Sequence, residues 1–206
     1  MTFYQVVGKV RSMMNKNSHT RILDVAEHFM QTMGYNAFSY HDIAKKVGIK
    51  TSSIHYHFPT KADLGQAVVK RHIDGICEEL EQLISNNKLS YRKKIDLFID
   101  GIVANTYQSD RKMCLGGMLA SDILTLPETI QYEVRIFFTR LEKWLTRFLV
   151  EAIEKKEFYI KKLNVKNEAM LILSTLEGAL LLARLFQDET HLTIAKKQMM
   201  MRLIER

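Results

Sequence analysis

A chain of 206 residues with 47% apolar and 26% charged side chains can bury a substantial core, which excludes a disordered chain and allows one large or two small domains. Two cysteines, Cys77 and Cys114, make neither a disulfide framework nor a zinc site, and they point to the reducing cytoplasm. The net charge of +7 is uneven: residues 1–72 hold ten Lys/Arg against four Asp/Glu and six of the seven histidines, whereas residues 73–206 hold twenty against nineteen. A small basic head on a near-neutral body suits a polyanionic partner.

The first residues, MTFYQVVGKVRSMMNKN, carry no apolar core followed by a small-residue cleavage site, and 1–17 is expected to be a flexible N-terminal arm. Apolar residues at helical spacing then predict a helix over 18–33, through Ile22, Leu23, Ala26, Phe29, Met30 and Met33, ended by Gly34. Ser39 and Asp42 stand at capping-box spacing, a variant with Asp in place of Glu, and open a second helix. A third covers 51–57 and stops at Pro59. Thr60 and Asp63 repeat the capping pattern and start a fourth helix running to residue 85. At roughly 25 residues it would span ~37 Å, long enough to carry movement from body to head.

Further helices are expected at 90–108, 113–124, 128–156, 166–187 and 190–204, with a turn at Leu126-Pro127. Only two prolines interrupt the chain, so the fold class is all-α, with about nine helices. The apolar stretch LILSTLEGALLLARLF is broken by Glu177 and Arg184 and falls short of a membrane span, so no membrane partner is expected. Gly116-Gly117 lacks the Lys-Ser/Thr of a phosphate loop. No acid, base and nucleophile converge anywhere, so no enzyme and no cofactor is expected.

Residues Ser39–Phe58, SYHDIAKKVGIKTSSIHYHF, read as a helix-turn-helix. Ile43, Ala44 and Val47 share one helical face, Ile54 and His57 share a face of the next helix, and Gly48 sits where the chain must reverse. The second helix exposes Thr51, Ser52, Ser53, His55 and Tyr56, groups that reach phosphates and base edges. His41, His55 and His57 have no Cys or carboxylate to complete a metal site.

The run TRILDVAEHFMQTMGYNAFSYHDIAKKVGIKTSSIHYHFPTKADLGQAVV closely resembles the DNA-binding domain of the TetR (tetracycline repressor-like) transcriptional regulators. Gly34-Tyr35, Asp42-Ile43-Ala44, Gly48, Tyr56-His57-Phe58 and Lys61 carry the resemblance. It implies a three-helix DNA-binding domain over 18–65 and an effector-binding and dimerisation domain over 66–206. It also implies a homodimer on palindromic double-stranded operator DNA, released by a small-molecule effector. Thr51, Ser52, Ser53 and His55 would then face the groove, Tyr56 and Lys61 would hold phosphates, and His41 would touch backbone or a flanking base. His55 stands where the family commonly has Tyr, so operator sequence does not carry over. The resemblance further implies a four-helix dimer interface from the last two helices, here with Leu173, Leu176, Ala179, Leu180 and Ala183. Lys112–Ala120 resembles a family subset in which a Cys-Leu motif opens a short sixth helix beside the effector cavity. Candidate cavity residues are Phe98, Ile102, Tyr107, Cys114, Met118, Phe137, Phe138, Leu141 and Trp144, which favour a hydrophobic or planar effector. Cys114, near a helix start with Arg111 and Lys112 close by, is a candidate electrophile-reactive thiol. The competing readings are an architectural DNA binder without a specific operator and a protein-interaction module.

Overall fold

The computed structural model describes residues 17–160 and 165–204, and among them the chain forms nine α-helices and no strand. They are α1 (Ser18–Met33), α2 (Tyr40–Val47), α3 (Thr51–His57), α4 (Lys61–Ser85) and α5 (Tyr91–Asn105), then α6 (Leu115–Ser121), α7 (Glu128–Glu154), α8 (Val165–Phe186) and α9 (Thr190–Ile204). Short 3-10 turns at Tyr35–Ala37 and Ile123–Thr125 follow α1 and α6. The arm expected over 1–17 lies outside the described residues apart from Asn17, whose side chain caps α1 by accepting from the Thr20 amide.

Contacts divide the chain into two compact units: one runs to Gly75 and includes Leu115–Phe137, and the other comprises Ile76–Cys114 with Phe138 onward. The division between these compact units falls inside α4, and the first unit also includes α6 and the start of α7. The reason is packing. Leu64, Val68 and Val69 of α4 are buried. Arg71 pairs with Asp24 and Glu27 of α1 at 2.8 and 2.6 Å. α6 packs on α1, and the Asn36 amide donates to the Thr125 hydroxyl at 2.9 Å. α4 crosses the start of α7 at Gly65, where an added Cβ would fall on Ile130 and lie 3.0 Å from Tyr35 Cε2. α4 and α7 each run through both units by their residue ranges.

In the second unit the core is built from Ile95, Ile99, Leu145, Phe148, Phe158 and Ile172, all nearly free of solvent. Lys94 is buried among them: its ammonium donates to the Ile84 carbonyl at 2.6 Å and lies over the Tyr91 ring at 4.5 Å. It thus satisfies a carbonyl that the end of α4 leaves without a helical partner. α5 stops at Asn105, three residues before the expected 108, where the backbone leaves the helical region at Thr106 (φ −114°, ψ −93°). The expected helix over 113–124 divides into α6 and the 3-10 turn.

α8 and α9 pack against each other. α8 is long and apolar enough to cross a membrane by length and composition, despite Glu177 and Arg184. Its inward side holds Leu176, Ala179, Leu180 and Ala183, which are buried within the chain, with Leu173 half-buried. Four of the five residues expected to face a second subunit are thus buried in the single chain, while Leu173 keeps part of its surface open. The outward side carries Met170, Leu171, Ser174, Gly178, Leu181, Leu182, Leu185 and Phe186, all exposed, and α9 adds Ile194 and Met201.

Candidate nucleic-acid interface

The head sets its helices by satisfying their ends. Ser39 and Asp42 form a reciprocal capping box at the start of α2, with the Ser39 amide donating to Asp42 Oδ2 at 2.8 Å. The Ser39 side-chain and backbone hydrogen bonds hold the Asp42 carboxyl below its usual range. Gly48 closes α2 in the left-handed region at φ 76°, ψ 41°, and its amide returns to the Ala44 carbonyl at 2.9 Å. Thr60 and Asp63 repeat the box at the start of α4, with the Thr60 amide 2.9 Å from Asp63 Oδ2.

Between these fixed points, α3 turns one side in and the other out. Ile54 and Phe58 are buried, and α3 packs on both α1 and α2. The Tyr40 hydroxyl lies within donor range of two carbonyls, Phe58 at 2.9 Å and Thr60 at 2.6 Å, which ties α2 to the turn after α3. Burial, aided by the Asp63 charge, pushes the Tyr40 phenol well above its usual range, so it remains a donor. The Arg21 guanidinium of α1 donates to the Val47 carbonyl at the end of α2. The recognition element is thus fastened at both ends before any DNA arrives.

The residues expected to meet DNA separate by exposure. Ser52, His55 and Tyr56 are exposed on α3, Tyr56 at 85%. Thr51 and Ser53 are half-buried on the same helix, and His41 is exposed on α2. His57 is half-buried, with its ring 5.6 Å from that of His19 and edge-on to it. Lys61, expected to hold a phosphate, has its ammonium engaged within the DNA-free chain. Its ammonium donates to the Phe38 carbonyl and lies over the Tyr35 and Phe38 rings at 4.6 and 4.3 Å. Burial lowers the pKa of this ammonium, partly offset by the Asp42 charge. Sequence reasoning passed over three exposed cations, Lys45 and Lys46 in the last turn of α2 and Lys50 just before α3. The charge excess of the head was the signal for them.

The candidate effector residues divide between the units. Met118 and Phe137 belong to the first, where the Phe137 ring lies 6.0 Å from His72. Phe98, Ile102, Tyr107, Cys114, Phe138, Leu141 and Trp144 belong to the second. There Phe98, Trp144 and Phe148 stack in sequence with centroids 5.4 and 5.3 Å apart, and the Trp144 indole nitrogen is buried without a hydrogen-bond partner. Cys114 stands just before α6, yet its thiol hydrogen-bonds the Glu177 carboxyl. The nearby basic groups reach elsewhere, Arg111 to Gln187 at 2.8 Å and Lys112 to Ser109 at 3.4 Å. Burial raises the Glu177 pKa, the thiol bond partly offsets this, and Glu177 Oε2 is buried without a partner.

Residues 22–68 match the family described as bacterial regulatory proteins, tetR family, and residues 92–198 match the transcriptional regulator LmrA/YxaF-like C-terminal domain. A TetR transcriptional regulator from Legionella pneumophila is 42% identical, covering 93% of this chain and 100% of that one, with a TM-score of 0.84. The chain belongs to the TetR family of transcriptional regulators. This TetR-family regulator is also similar to one from Agrobacterium tumefaciens, 31% identical over 90% of this chain and 97% of that one, with a TM-score of 0.83. A third relative is the HTH-type transcriptional activator FasR of Mycolicibacterium smegmatis, 27% identical over 85 residues. That match covers 40% of this chain and 39% of the activator's length. The helix-turn-helix of α2 and α3 is the DNA-binding element of this TetR-family regulator, and its C-terminal domain is of the ligand-binding type.

Proposed function

We propose that this regulator is a homodimeric repressor that occupies a palindromic operator and leaves it when a small apolar or planar effector enters the C-terminal region. The observation that carries the reading is the two-sided character of α3: Ile54 is wholly buried while Ser52, His55 and Tyr56 stand in solvent. A helix held this way can enter a major groove without rearrangement. Ser53 and His55 read base edges, and Tyr56, with His41 and Lys45, Lys46 and Lys50, holds the backbone.

Dimerisation is supported by the outward stripe on α8 and α9, now built from Met170, Leu171, Leu181, Leu182, Leu185 and Ile194. A contiguous apolar strip of this length is what a protein surface covers with a partner. Ser174 and Gly178, in the middle of the stripe, allow two such helices to approach closely. Effector occupancy acts through α4 and α7, whose residues belong to both units, by changing the separation of the paired heads.

The likeness to an activator gives a second reading, in which the bound dimer promotes transcription. Deleting the gene and measuring transcripts from promoters the protein occupies separates the two. Repression requires transcripts to rise on deletion, activation requires them to fall, and unchanged transcripts at every occupied promoter would contradict both.

A further inference from the structure

His55 is exposed, yet its ring is fixed on two sides. Nδ1 lies 3.3 Å from the Pro59 carbonyl oxygen. The ring stands edge-on to Tyr40, with centroids 4.8 Å apart and planes at 63°. Tyr40 is itself anchored through its hydroxyl to Phe58 and Thr60. A carbonyl oxygen can only accept, so Nδ1 must carry the hydrogen of this contact. In a neutral imidazole the second nitrogen, Nε2, is then a bare acceptor. The two nitrogens lie on different edges of the five-membered ring, so the Nε2 lone pair is directed away from Pro59. The orientation of the ring and the choice of tautomer both come from the turn that ends α3.

We infer that His55 is an acceptor-only reader that selects an amino-bearing base, cytosine or adenine, on the strand it faces in each operator half-site. In the major groove, cytosine offers its N4 amino group and adenine its N6 amino group. Guanine and thymine offer acceptors there, which would oppose the Nε2 lone pair. A side chain free to exchange tautomers would accept either class. The Pro59 contact favours the Nδ1–H form, so the turn residue contributes to specificity without touching DNA. The inference rests on the operator-reading function proposed above and names the base class for one position of it.

Two measurements test it on the full-length protein at pH 8. Long-range 1H–15N correlation spectra of the DNA-free protein, with the His55 signals assigned by their loss in His55→Gln, should give the Nδ1–H tautomer. An Nε2–H signal would overturn the inference. In the second, all four bases are substituted at each position of a selected operator. One position per half-site should prefer cytosine or adenine over guanine and thymine by roughly five- to hundredfold. His55→Ala should flatten that position and leave the others as they were. A His55-sensitive position that prefers guanine or thymine overturns this inference alone. Failure to recover any preferred sequence overturns the regulatory reading and this inference with it, and the tautomer signal tells the two failures apart.

Discussion

At the scale of single residues, burial and hydrogen bonding separate groups that the sequence presents as equals. Tyr56 and Lys61 are both expected phosphate holders, but Tyr56 stands in solvent at 85% exposure while the Lys61 ammonium is engaged by the Phe38 carbonyl and two rings. Tyr56→Phe should therefore weaken binding to all DNA sequences alike, by roughly 1.5–3 kcal/mol if the hydroxyl meets a phosphate. Its melting temperature should be unchanged. Lys61→Met should lower both the melting temperature and the affinity, and a variant that loses affinity alone would return Lys61 to the phosphate-binding set. The capping boxes were legible because Ser39/Asp42 and Thr60/Asp63 are local, three residues apart. The partner of Cys114 was not, because Glu177 lies on α8, far along the chain. With its thiol on a carboxyl and Arg111 and Lys112 engaged elsewhere, Cys114→Ser should leave effector-driven operator release intact. Release abolished by that substitution would restore a reactive-thiol mechanism.

For whole elements, sequence periodicity located the helices well and failed where both sides of a helix are apolar. α1 has a polar face, so Ile22, Ala26 and Met30 could be read as its inner side. On α8 the inward set, Leu176, Ala179, Leu180 and Ala183, and the outward set, Leu181, Leu182, Leu185 and Phe186, are both wholly apolar. Composition alone cannot orient such a helix. The two sets should respond differently. Leu185→Glu should give a folded monomer by sedimentation, whereas Leu176→Ala should keep the dimer and lose about 2–5 kcal/mol of stability. A Leu185→Glu protein that sediments as a dimer would move the interface to another face. The crossing of α4 and α7 is equally tight: Gly65→Ala would drive its Cβ onto Ile130 and Tyr35 and should cost about 1–3 kcal/mol.

Across the whole molecule, charge links the head's stability to pH. Burial pushes the Glu27 carboxyl up, but hydrogen bonding and charge from His72, then Arg71, outweigh it and bring the pKa from 4.5 to about 2. The folded head therefore binds the proton less readily than the unfolded chain. The stabilisation is complete above pH 4.5 and declines as pH falls from there toward 2. It amounts to about 3 kcal/mol for such a shift. Glu27→Gln should flatten the stability of the protein over that interval, measured by denaturant titration, and an unaltered acid limb would contradict the role of this pair. The uneven charge was visible in the sequence, and so was a head distinct from a body. The recruitment of α6 and the start of α7 into the head unit was not, since it depends on contacts between distant segments such as Asn36 with Thr125. The central claim is that the outward face of α3 reads a defined operator. It is tested most directly by selecting DNA from a random pool with the purified protein, then titrating the recovered and random duplexes at matched salt. The expected result is a palindrome whose half-sites lie about one helical turn apart and which binds at least about 1,000-fold more tightly than random DNA. Equal binding to both, falling together as salt rises, would contradict it and identify a sequence-independent DNA binder.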